Sequence, residues 1–203
     1  MSVLLEAISI RERGKQDYLS SIREMREFTA KRNETTPDEI WLLEHPPVYT
    51  LGQGADEATV DNGIPVVRSD RGGEITYHGP GQVVLYALID LARRGIKVKR
   101  FVWLLEQSVI DLLEGRGERR AGAPGVYVDS MKIAALGIRV SRGRAYHGLA
   151  LNVDMDLSPF SSIDPCGYPG LAVTQTKDLG FSQNASQLGK ALVKSLLRNL
   201  DHA

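Results

Sequence analysis

The sequence predicts an α+β fold, a mixed or antiparallel central sheet flanked by helices. Three observations point to it. Short apolar runs of strand length cluster in the middle of the chain, between about 39 and 153. Amphipathic segments of helical period stand near both ends and in one long excursion between the strands. The 203 residues, 42% of them hydrophobic, suit one domain around one core, here taken as 1–203.

Val3 to Ile8 is short and apolar and reads as a first strand. From Lys15 to about Arg32, Tyr18, Leu19, Ile22, Met25 and Phe28 recur at helical spacing with charges between them, until Asn33–Asp38 breaks the pattern. Glu39–Glu44 carries Ile-Trp-Leu-Leu and reads as a core strand. His45-Pro46-Pro47 turns the chain into a strand at Val48–Gly52. Pro65–Ser69 is a short strand, and Gln82–Asp90 a buried one. A helix is expected from about Lys99 to Glu114, stopped by Gly115-Arg116-Gly117. Gly125–Val128, Lys132–Val140 and Tyr146–Val153 follow as strands, with Asp129-Ser130 and Ser141–Arg144 as hairpin turns. Asp154–Gly170, with three prolines, is irregular. The last helix runs from about Asn184 to Leu200, with Ser182 as its N-cap.

Lys+Arg and Asp+Glu each total 25, so no whole-molecule field draws the chain to nucleic acid. Two basic clusters, Arg93–Arg100 and Arg116–Arg120, read either as solvated faces or as a docking patch for one acidic macromolecule. No signal peptide and no membrane-spanning run is visible, so a cytoplasmic location is expected. The single cysteine excludes an intrachain disulfide and a thiolate zinc cluster, no histidine pair has metal-binding spacing, and no metal is expected. No phosphate-binding glycine motif matches either.

Chemistry concentrates in two places. Arg71-Gly72-Gly73-Glu74-Ile75-Thr76-Tyr77-His78-Gly79-Pro80-Gly81-Gln82 joins glycines to a cation, an anion, an imidazole and a phenol. By itself it is a shaped backbone wall, a phosphate cradle or a hairpin loop. Cys166 lies between Pro165 and Gly167 in a polar, turn-forming stretch, a setting suited to reaction rather than packing. A nucleophilic thiol needs a partner that favours the thiolate. His78, His147 and Lys132 are the candidates, and spacing does not choose among them.

Three blocks together carry a resemblance. Arg71–Gln82, Lys132-Ile-Ala-Ala-Leu-Gly137 and His147-Gly-Leu-Ala-Leu-Asn-Val153, leading on to Asp164-Pro-Cys-Gly167, stand in one order in which the chain resembles the lipoyl (octanoyl) transferases, the lipoate biosynthesis protein B family. The resemblance spans about His45 to Thr176. It implies the fold shared by biotin and lipoate protein ligases. It also implies transfer of an octanoyl group from acyl carrier protein to a lysine of lipoyl domains, in 2-oxoacid dehydrogenase complexes and in glycine cleavage H protein. It makes Cys166 the acyl-carrying thiol and Lys132 the residue that lowers its pKa. The substrate walls become Arg71, Gly72, Gly73, Glu74, Ile75, Thr76, Tyr77 and His78, then Ala135, Leu136 and Gly137, then Gly148, Leu149 and Ala150. Ala135 departs from the serine expected there. No cofactor, nucleic acid or membrane is implied, and a monomer is expected. A thiolate suits a thioester donor, being both nucleophile and leaving group, and the activated donor removes the need for ATP. The acyl chain is expected against Leu136, Leu149 and Tyr77, with Lys132 or His78 taking the proton of the acceptor amine. Competing expectations are an ATP-dependent lipoate or biotin ligase, an amidotransferase between carrier domains and a carrier-binding module without chemistry.

Overall fold

The computed structural model describes residues 8–57, 59–163 and 171–203. Its main sheet has six strands in the order β1-β2-β6-β9-β8-β7: β1 (Ser9–Lys15), β2 (Glu39–Glu44), β6 (Gln82–Asp90), β9 (Arg144–Asn152), β8 (Met131–Ser141) and β7 (Gly125–Val128). Only the β1–β2 pair is parallel, so the sheet is mixed, as expected. β3 (Val48–Leu51), β4 (Val66–Arg68) and β5 (Ile75–His78) form a second, three-stranded sheet in the order β4-β3-β5.

β6 explains the layering. Val83, Leu85, Ala87 and Ile89 pack with helices α3 (Val98–Leu112) and α4 (Ala185–Asp201). Val84, Tyr86 and Leu88 pack with Tyr18, Ile22 and Met25 of α1 (Tyr18–Lys31). Side chains alternate across a strand, so one fully apolar run serves both faces. The result is a sheet with one helix on one face and two on the other.

Most strands fall where the apolar runs place them, and the exceptions have physical reasons. The expected first strand, Val3–Ile8, lies almost wholly outside the described residues. β1 begins at Ser9 and takes Lys15 from the expected helix. It is an exposed edge strand, Ser-Ile-Arg-Glu-Arg-Gly-Lys, held to β2 by backbone pairing, so no apolar period marks it. α1 starts at Tyr18 because the Asp17 carboxylate caps Ser20 N–H at 2.8 Å. β5 lies inside the stretch read as a loop. It pairs antiparallel with β3, a partner invisible to local pattern. α2 (Leu91–Arg94) is a single turn capped by Asp90. The N-cap of α4 is Asn184 rather than Ser182: its side chain and that of Gln187 cap each other's backbone N–H groups. Both hairpin turns form, with positive φ at Asp129, Ser130, Arg142 and Gly143.

The basic clusters divide. Arg93 and Arg94 turn inward with Arg32 to surround the fully buried Asp38 carboxylate, Arg93 at 2.9 Å and Arg94 at 2.5 Å, and Asp90 N–H adds a bond at 2.8 Å. Those two arginines belong to the interior and not to a docking patch. Arg100 and Arg119 instead flank the exposed Trp103 ring at 4.3 and 4.5 Å. No helix among the described residues is long and apolar enough to cross a membrane.

Candidate active site

Strands β8 and β9 build the floor of a slot. Their register sets Ala135 against Ala150 and Gly137 against Gly148, a strip almost free of side-chain bulk. Glycine is required at both ends of that second pair. A Cβ on Gly137 would stand 2.6 Å from Gly72 O, and one on Gly148 would stand 2.1 Å from Leu85 O. The segment from Arg71 to His78 closes over the strip, and Tyr18, Val84, Tyr86 and His147 complete the lining. The space enclosed, open mouth included, is about 480 Å³, within the usual range for small-molecule sites.

All three stretches picked from the sequence therefore meet at one slot. Arg71, Gly73, Glu74, Ile75, Thr76, His78, Ala135, Leu136, Gly137, Gly148, Leu149 and Ala150 line it. Gly72 lines a neighbouring cavity, which shares Gly73, Glu74, Leu136 and Gly137 with the slot and reaches Ala123 and Pro124. Tyr77 is the correction. Strand alternation in β5 turns its ring away from the slot, into a cluster with Tyr49, Met155 and Phe160, so it does not line the slot.

The polar groups of the slot are tied down in a continuous chain. The Arg71 guanidinium donates to the Thr50 hydroxyl and carbonyl and to the carbonyls of Gly72 and Glu74. It clamps the loop to β3. His78 Nδ1 donates to Gln82 Oε1 at 2.8 Å, which leaves Nε2 as an acceptor 3.5 Å from the Thr50 hydroxyl. Gln82 Nε2 donates to Asn152 Oδ1, and Asn152 Nδ2 donates to Thr174 O. Thr174 N–H in turn donates to the Lys132 carbonyl, and Lys132 N–H donates to Ala172 O. The loop, His78 and the backbone of Lys132 thus belong to one buried network.

Burial leaves the imidazoles uncharged. It pushes His78 down to about 3, helped by the His45 and Arg71 charges. It pushes His45 down to about 4; that ring donates from Nδ1 to Gln16 O and accepts from the Tyr86 hydroxyl. His147 is lowered as well, again chiefly by burial, against the pull of Asp70. A base as weak as His78 is a poor proton acceptor at neutral pH.

Lys132 is buried at the start of β8. Its Nζ donates to Pro124 O at 3.4 Å and lies 5.2 Å from the Tyr127 ring centre. Gly125 makes room for it. With φ at +147°, a Cβ there would stand 2.8 Å from Ala134 O and 3.0 Å from Lys132 Cε. Lys132 is not among the slot-lining residues; it stands at the end of the strip, one turn of pleat beyond Ala134. Cys166 lies outside the described residues. The described chain that follows it, Ala172 to Thr174, is the stretch bonded to Lys132's own backbone.

Sequence reasoning missed Tyr18, Tyr86 and Asp70. Tyr18 and Tyr86 look like core positions of a helix and a strand. Asp70 directly precedes the loop. It accepts from His147 Nε2 at 2.8 Å, Tyr146 Oη at 2.7 Å and Arg26 Nε at 2.9 Å, and these donors hold its carboxyl far below the ordinary range. No local signal links residues 26, 70 and 147.

This architecture is that of the lipoate and biotin protein ligases. A lipoate-protein ligase A bound with ATP superposes with a TM-score of 0.76 at 16% identity, covering 96% of this chain and 85% of that one. A biotin protein ligase from Aquifex aeolicus in complex with biotin and ATP gives 0.58 at 11% identity, with 97% and 71% covered. The family is narrower than the fold. The model of the lipoyl protein ligase A/B catalytic domain matches residues 17–197, and the chain belongs to that family. Similar relatives are an octanoyltransferase of Aromatoleum aromaticum, 58% identical over 96% of this chain and 86% of its own length, and one of Dechloromonas aromatica, 56% identical over 95% and 96%.

Proposed function

We propose that residues 1–203 act as one octanoyltransferase domain in the cytoplasm. It moves an octanoyl group from acyl carrier protein to a lysine of lipoyl domains, including those of 2-oxoacid dehydrogenase complexes and the glycine cleavage H protein, through a thioester on Cys166. One observation carries the reading: a slot floored by side-chain-poor strands, walled by Arg71–His78, runs along β8 toward a buried lysine. Such a slot fits an unbranched alkyl chain, and each methylene buried in it contributes about 0.8 kcal/mol. The high identity to proteins named octanoyltransferase supports the reaction.

In the first half-reaction the Cys166 thiolate attacks the donor carbonyl. The new C–S bond forms, the bond to the pantetheine sulfur breaks, and that thiol leaves with a proton given by the Lys132 ammonium, whose amine is then free to act as a base. In the second, the acceptor amine attacks the acyl-enzyme, an amide forms, and the Cys166 thiolate is released. Lys132 takes the amine's proton. His78, neutral and bonded through both ring nitrogens, holds the loop against β3 instead.

Mixing the protein with octanoyl-acyl carrier protein should add the mass of one octanoyl group, and Cys166→Ala should abolish both the adduct and transfer. Normal turnover by Cys166→Ala would end the covalent mechanism.

A further inference from the structure

His147 is the one slot residue that takes a left-handed backbone inside a strand. Its φ is +61°, left-handed for a side chain that has a Cβ. The β6–β9 ladder passes from Tyr86↔Gly148 to Ile89↔Ala145 without the two pairs between. Alternation alone would point residue 147 away from Tyr146 and Tyr86. The left-handed turn brings the ring onto their side, 5.0 Å from the Tyr146 ring centre and 5.9 Å from that of Tyr86. Strain of this kind persists only where the surroundings enforce it, and it concentrates at functional positions.

Among the described residues the ring has one hydrogen-bond partner. Nε2 meets Asp70 Oδ1 at 2.8 Å, and an ionised Asp70 requires the proton on Nε2. Nδ1 is therefore a lone-pair acceptor. It is buried and has no hydrogen-bond partner among the described residues. The residue is 1% exposed and lines the slot. An orphaned acceptor in the slot wall is costly for any alkyl group pressed against it and favourable for a donor such as water.

Its place along the slot fixes what it does. His147 pairs with Ile138, three residues beyond Ala135. At ~3.3 Å per residue that distance is about 10 Å, roughly the length of an extended eight-carbon chain. We propose that His147, fixed by Asp70, closes the far end of the acyl slot and sets the length of the chain that is transferred. Asp70 is a positioning residue, since it acts through the imidazole. The proposal rests on the slot being the acyl site, as set out above.

The test is a competition among octanoyl-, decanoyl- and dodecanoyl-acyl carrier protein, with products resolved by mass. A ratio of products is independent of how much variant protein folds. His147→Gly suits a left-handed φ and removes the imidazole; the decanoyl-to-octanoyl ratio should rise about tenfold or more. His147→Asn, which tolerates the same φ and keeps an acceptor, should raise it less. Asp70→Asn can donate to Nε2, which moves the ring proton to Nδ1. It should change the ratio together with the imidazole nitrogen shifts of His147 in an NMR spectrum. Unchanged ratios in all three variants would overturn the proposal while leaving the octanoyltransferase reading intact. Failure of the unsubstituted protein to transfer octanoate at all would overturn that reading itself.

Discussion

The two ends of the β8–β9 strip are built on opposite plans. At the Lys132 end the backbone is fully bonded: Lys132 N–H and C=O are satisfied by Ala172 and Thr174, and Nζ reaches Pro124 O. At the His147 end two ladder pairs are missing, φ is left-handed and a ring nitrogen stays orphaned. A group that moves protons in every cycle gains from a rigid, satisfied mount, because proton transfer depends on geometry held to fractions of an ångström. A group that only bounds a pocket can carry strain, because the surrounding sheet fixes it. On the proposed reading the hydrogen-bonded end, bulged against β7 as it is, serves the chemistry, and the strained end serves selection.

The sharpest way to break that division is at Lys132. Lys132→Met keeps the aliphatic stem and removes the amine. Transfer should fall about 10²–10⁴-fold, the range of a lost general acid–base group. The pH at which iodoacetamide alkylates Cys166 should rise, as expected for a thiolate that loses a neighbouring cation. The chain-length ratio should not move, because the far end of the slot is intact. A shifted ratio would mean that the two ends are not separable.

Gly125→Ala probes the same end more gently. The new methyl meets Ala134 O and Lys132 Cε, at a φ that side chains rarely adopt. Backbone strain of about 1–3 kcal/mol is expected, seen as a lowered Tm, with a fall in kcat and little change in KM for the donor. If kcat holds while Tm falls, the lysine does not depend on that glycine for its position.

The sequence makes the scaffold more legible than the slot's polar wiring. β2, β6 and β7 stand where apolar period and turn residues put them, because both faces of their sheet are buried and the pattern is undiluted, and β8 and α3 are marked by their flanking turns and apolar period. β1 and β5 escape notice because an edge strand and a strand inside a glycine-rich loop are defined by partners far away. The slot walls follow from the resemblance, apart from Tyr77, which strand alternation turns inward. Asp70 and the inversion at His147 are tertiary facts. A left-handed histidine before a glycine, in a run of strand-forming residues, leaves no local mark.

The effect furthest from the chemistry concerns the neutral imidazoles in and behind the slot. His45 and His78 titrate at about 4 and about 3 in the folded chain, against about 6.5 when unfolded. Between those values the unfolded chain binds more protons than the folded one, so stability rises with pH across the interval and is lost as pH falls from 6.5 toward 4. Each such histidine contributes about 1.4 kcal/mol per pH unit there. Denaturant midpoints measured from pH 7 down to pH 4.5 should fall with a slope of about two protons. His45 touches Tyr18, His78 and Tyr86 but does not line the slot, so His45→Gln isolates its share. The slope in that variant should be shallower by one proton, and chain selection should be unchanged. An unaltered slope would mean that the His45 ring carries its second proton in the fold and donates to the Tyr86 hydroxyl instead of accepting from it.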